Sequence, residues 1–119
     1  MFDSGEVVHL ERVVDDDAST LTALAIYPDG STTAYTLLAT DHLVITDILI
    51  TVEAAGDVVL VADTAAAGKY IVSAGVAAGT VIAQSLATPY TCPVGVVPKF
   101  SGSTTLRSTC ILQARLIKA

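Results

Sequence analysis

An all-β single domain, a sandwich of about eight short antiparallel strands, is what this sequence predicts, and three observations carry that expectation. Short apolar runs recur between turn residues, and with 15 Val and 15 Thr in 119 residues they suit a pleated, half-buried surface. No stretch shows the 3.6-residue apolar period of an amphipathic helix. The segment "TCILQARLIKA" alternates by two, placing Cys110, Leu112, Ala114 and Leu116 on one face and Ile111, Gln113, Arg115 and Ile117 on the other. The first face is core. The second is mixed, and Ile111 and Ile117 beside Gln113 and Arg115 read as a subunit or partner surface.

Taken in order, runs and breakers place strands near 6–14, 20–27, 32–39, 42–53, 58–63, 69–76, 80–87 and 108–118. "YPDGST" at 27–32 is the clearest turn, with Pro28 presetting φ and Gly30 offering a left-handed position, so its flanks should form a hairpin. "EAAGDV", "TAAAGK" and "VAAGT" supply further breaks at Gly56, Gly68 and Gly79. Between 88 and 105, Pro89, Pro93, Pro98, Gly95 and Gly102 disfavour a central ladder. That stretch is expected to be a long connection holding one broken edge strand around Val94 to Phe100. Residues 1–19 are either the first strand or an arm that pairs with a neighbouring subunit by strand addition. The main domain is then 20–119, and strands at this spacing allow a jelly roll.

Asp47 interrupts the longest strand-like run, "HLVITDILITV". Strict alternation from Leu43 would bury its carboxylate beside Ile45 and Leu49, which is costly for an unpaired charge. A β-bulge at Thr46 and Asp47 resolves this, because Leu43, Ile45, Ile48, Ile50 and Val52 then share the core face. Asp47 is expected outside, accepting local backbone N–H groups or a cross-strand basic partner. The same register turns Val44 and Leu49 outward as candidate subunit or capsid contacts, together with Ile111 and Ile117.

Composition removes several function classes. Charged residues are only 15% and the net charge is −6, with no basic cluster, so nucleic-acid binding is not expected. All 12 acids fall between Asp3 and Asp63, where Arg12 is the one basic residue. The halves should therefore interleave in the sandwich and neutralise each other, or one end stays acidic and steers docking onto a basic surface. No 18-residue apolar run is present and the acidic start lacks an h-region, so neither a membrane span nor a signal peptide is expected.

His9 and His42 lie in no triad-type motif, and Asp41 beside His42 points to the opposite face of a strand. "DDD" at 15–17 lacks the alternation of a calcium loop, and "GVAAGT" at 75–80 lacks the GK[ST] of a phosphate loop. No catalytic residue, metal site or cofactor is expected. Cys92 and Cys110 have neither CxxC spacing nor a nearby histidine, and read as free buried thiols or a strand-to-strand bridge.

The stretch from "AYTLLATDHLVITDILITV" through "SLATPYTCPVGVVPKF" to "TCILQARLIKA" resembles the small jelly-roll proteins on the heads and virion appendages of tailed bacteriophages. In these, a "YT…LxITDI" strand leads into two hairpins, a proline-rich connection and a final strand; the likeness covers roughly residues 34 to 119. They are similar in layout to the trimeric tumour-necrosis-factor-like jelly roll, and many are capsid cement or decoration proteins. The resemblance implies a jelly-roll fold, a homotrimer, the major capsid protein as partner, a place on the capsid exterior after synthesis in the host cytoplasm, and no enzymatic activity. The alternative is the receptor- or glycan-binding head of a fibre or spike, against which stands the absence of Trp. A cupin-like enzyme would need clustered His and acidic ligands that this sequence does not offer.

Overall fold

The computed structural model describes residues 6–14, 18–28, 31–62, 70–103 and 106–118. Among them are nine strands: β1 Glu6–Val14, β2 Ala18–Ala23, β3 Ala25–Pro28, β4 His42–Val52, β5 Gly56–Val61, β6 Tyr70–Val76, β7 Val81–Thr91, β8 Lys99–Gly102 and β9 Ser108–Ile117. They form a five-stranded sheet, β3-β1-β9-β4-β7, and a four-stranded sheet, β2-β8-β5-β6, with antiparallel pairing throughout. Leaving aside β3 at one edge, this is the strand order of a jelly roll, two Greek keys folded over one core. The expected sandwich is thus the fold, and apart from the neighbouring β3 and β1, strands of the acidic first half alternate with strands of the basic second half in both sheets.

The core lies between the sheets. Its largest fully buried side chains include Phe100, Leu10, Ile26, Leu43, Ile45, Ile50, Leu60, Leu112 and Leu116, each contributing about 1.5–3 kcal/mol by leaving water. In β9 the predicted alternation holds, with Cys110, Leu112, Ala114 and Leu116 buried. Glu6–Val14 pairs with β3 and β9 of the same chain and occupies the interior of its sheet.

Three expectations about elements are corrected. The run at 20–27 is two strands in different sheets, because buried Leu24 is the crossover, its N–H donating to the Pro98 carbonyl at 3.0 Å. The run at 32–39 is no strand beyond one bridge, Ile26 to Tyr35. There the Asp41 carboxylate accepts from Tyr35 Oη at 2.6 Å and from the Leu38 N–H at 3.3 Å, while the Asp41 N–H returns to the Leu38 carbonyl at 3.0 Å. Such local side-chain bonds curl the backbone away from a ladder. The hairpin foreseen around "YPDGST" is accordingly reduced to that bridge and a Ser31 N–H to Pro28 carbonyl bond of 2.9 Å, and its tip, 29–30, lies outside the described residues.

The third correction concerns 88–105, which contains an interior strand rather than a broken edge. β8 lies between β2 and β5, and it can do so because Pro98 precedes the ladder instead of interrupting it. Pro89, by contrast, is inside β7, an edge strand, where a missing N–H is tolerated. Gly102 closes β8 where the two sheets approach closely: a Cβ there would sit 2.7 Å from Ser108 Oγ and 3.0 Å from Ser108 Cβ.

Candidate interaction surface

The bulge predicted at Thr46 is present. Along the β4–β9 ladder, Ile45 pairs with Ala114 and the next pair is Asp47 with Gln113, so Thr46 is the extra residue. A bulge leaves backbone groups of the ladder without partners, and the Thr46 side chain takes up one of them. Its hydroxyl lies 3.2 Å from the Gln113 carbonyl oxygen and 2.9 Å from Asp47 Oδ2, sharing one proton between the two. Leu43, Ile45, Ile48, Ile50 and Val52 all fall in the core, and Val44, Asp47, Leu49 and Thr51 face away from it.

Asp47 is held differently from the expectation. Its Oδ1 accepts the Ser85 hydroxyl from β7 at 2.6 Å and its Oδ2 the Thr46 hydroxyl; among the described residues these hydroxyls, rather than a backbone N–H or a basic side chain, stabilise its charge. The bulge explains the change, because it turns the carboxylate across the sheet toward β7 rather than back along β4. These hydroxyls, Ser85 first, stabilise the ionised form and hold the carboxyl below its ordinary value, against a smaller opposing effect of desolvation.

Register assembles the outer face of the five-stranded sheet into rungs. Tyr27, His9, Gln113, Asp47 and Ser85 form one polar rung across all five strands. To one side, Glu11, Ile111, Leu49 and Ala83 form the next, followed by Val13, Thr109, Thr51 and Val81. To the other side lies Val7, Arg115, Val44 and Thr91, and beyond it Ile117 opposite His42. The four contact candidates thus divide in pairs: Leu49 and Ile111 are direct neighbours on one flank of the polar rung, and Val44 and Ile117 lie on the other. Val7, Val13, Leu49 and Val81 are exposed large apolar residues of this one face. A hollow of about 480 Å³ opens over it, lined among others by Val7, His9, Tyr27, Asp47, Leu49 and Gln113. The His9 and Tyr27 rings form one wall, with centroids 5.6 Å apart and tilted by 47°.

A second surface was not visible in the sequence. β6 and β7 are consecutive strands that form edges of the two sheets, and among their described residues none is buried. Ile71, Val72, Val76, Ile82, Leu86 and Tyr90 touch the core yet remain only partly covered. On the β1 side, by comparison, Val8, Leu10 and Ile26 are buried completely or nearly so. The sandwich is therefore closed along one side and open along the other. Strand alternation revealed which residues point inward, but whether a strand is an edge depends on pairing across the whole chain.

Other titratable groups are structural in their contacts. Lys118 Nζ lies 3.6 Å from Glu6 Oε1 and 5.5 Å from the Tyr35 ring centroid, joining both ends of the described chain to the 31–41 segment. The bond to Asp41 raises the Tyr35 hydroxyl above its ordinary value. Cys92 and Cys110 are free and buried, and desolvation pushes both thiols up to about 12. Cys92 bonds to the Leu43 end of β4 whereas Cys110 pairs with Ile50 near the other end, too far apart for a bridge within the chain. His9 is exposed and His42 begins β4; among the described residues no group of three or more His, Cys, Asp or Glu could hold a metal ion. The aspartates at 15–17 lie outside the described residues.

No family model, curated protein or solved structure matches this chain.

Proposed function

We infer that this chain is a structural virion protein, a homotrimeric cement or decoration protein that binds the major capsid protein on the outside of a phage head and acts without enzymatic chemistry. The observation that carries the reading is the open β6/β7 side, where core-facing Ile71, Val72, Ile82 and Leu86 stay only partly covered. Unpaired edges and incompletely buried apolar residues are liabilities for a lone soluble domain, and association with further copies removes both. The outer face of the five-stranded sheet, with Leu49 and Ile111 on one flank and Val44 and Ile117 on the other, then supplies a separate surface for the shell. Many equivalent attachments to a capsid stabilise it by mass action.

Sedimentation of the purified protein, followed by its addition to phage heads that lack it, tests this. A species of three chains that binds such heads and raises their resistance to heat is the expected result. A monomer that leaves the heads unbound would overturn the reading.

A further inference from the structure

We propose that the hollow beside Asp47 is a receptor for an arginine side chain of the partner protein. Asp47 is a fixed anion: the Ser85 and Thr46 hydroxyls hold one oxygen each, at 2.6 and 2.9 Å. An ionised carboxylate offers about four acceptor sites on its two oxygens. Two are used, one per oxygen, so one remains on each. That is the pattern a guanidinium fork fills with two parallel N–H bonds, and that a compact ammonium cannot.

The groups that hold the Asp47 carboxylate in its ionised form are the Ser85 and Thr46 hydroxyls, with no charged side chain of the described residues among them. The surroundings match the rest of an arginine. Leu49 and Ile111, on the rung beside Asp47, line the hollow and can cover an aliphatic stem. A volume of about 480 Å³ is within the range of small-ligand pockets. Charge selects the source: with 12 acids against 6 basic residues, the chain draws a basic partner surface to this face more strongly than a further acidic copy of itself. Assigning that surface to the capsid protein rests on the function inferred above; the guanidinium site itself does not.

The experiment titrates isotopically labelled protein with N-acetyl-arginine-methylamide, with its uncharged citrulline isostere and with methyl glucoside, following amide resonances around Asp47, Gln113 and Ile111. The arginine probe is expected to shift these signals saturably and the citrulline probe to bind at least tenfold more weakly. Asp47→Asn should weaken the arginine probe at least tenfold. Ile111→Lys, which places a cation on the neighbouring rung without touching the bulge, should do the same if Asp47→Asn disturbs the fold. Equal binding of arginine and citrulline probes, or displacement by methyl glucoside, would overturn the site. A change in the protein's own sedimentation on Asp47→Asn would assign the arginine to a second copy and overturn the partner. Arginine binding without any attachment to capsids would leave the site standing and remove the capsid; capsid attachment without arginine binding would do the reverse.

Discussion

The Ser85 hydroxyl meets Asp47 Oδ1 at 2.6 Å across a ladder that has just lost its register. Between the pairs Ile45–Tyr90 and Asp47–Ser85, β4 advances by two residues while β7 advances by five. The same step on the β9 side is the single-residue bulge at Thr46. One irregularity thus decides three things at once: which residues of β4 enter the core, where the Asp47 carboxylate points, and where the edge strand β7 accommodates Pro89.

Deleting Thr46 should regularise β4 and leave the protein folded. Ile45–Ala114 and Asp47–Gln113 are already successive pairs, so without the extra residue the ladder runs on and Ile48, Ile50 and Val52, all buried, keep their inward faces. Thr46→Val keeps the shape and loses only the shared hydroxyl, so urea denaturation should show a loss of about 1 kcal/mol. Unchanged stability in the valine variant would mean that the Gln113 carbonyl needs no partner from Thr46.

Asp47 should titrate below its ordinary value of 3.8, measured by carbon chemical shift of the side-chain carboxyl. Because its folded-state pKa is depressed, its contribution to stability is present above the unfolded-state value and is lost as pH falls through the folded one. Ser85→Ala removes the larger of the two causes, so the midpoint should rise toward 3.8. A midpoint that ignores Ser85 would contradict the geometry.

Gly102→Ala should destabilise the sandwich by about 1–3 kcal/mol, the usual cost of overpacking. The added methyl would meet Ser108 Oγ at 2.7 Å and Ser108 Cβ at 3.0 Å, between sheets that cannot separate cheaply. The double variant Gly102→Ala with Ser108→Gly should recover part of the loss by removing both contacts. Additive losses, read from calorimetry, would place the strain elsewhere.

Neither Cys92 nor Cys110 should react with a thiol reagent at pH 8 while the protein is folded. Both are buried and pushed up to about 12, which leaves almost no thiolate to attack. Two thiols per chain should become reactive on unfolding in urea. Rapid labelling of one in the native state would show that its end of the sandwich opens.

Some of this was legible because it depends on short-range physics. The period-two pattern of 108–117 and the unfavourable burial of Asp47 are local conflicts or agreements, readable from a dozen neighbours, and they led to β9 and to the bulge. The proline-rich stretch misled for the same reason: Pro98 looks like a ladder breaker until pairing shows that the ladder starts one residue later, at Lys99. The segment at 32–39 has strand composition, yet the buried Asp41 carboxylate draws Tyr35 and Leu38 to itself. Ser85 carried no signal at all, because only register brings it to Asp47.

The sequence by itself determined the all-β class, the inward and outward faces of most strands and the need for a bulge at Thr46, since alternation and the cost of burying a charge act within a single strand. Only the tertiary structure decided which strands are edges, that the β6/β7 side stays open, and that Tyr27, His9, Gln113, Asp47 and Ser85 share one rung. Those follow from pairing between residues far apart in the chain, where hydrogen-bond register, and not composition, sets each neighbour.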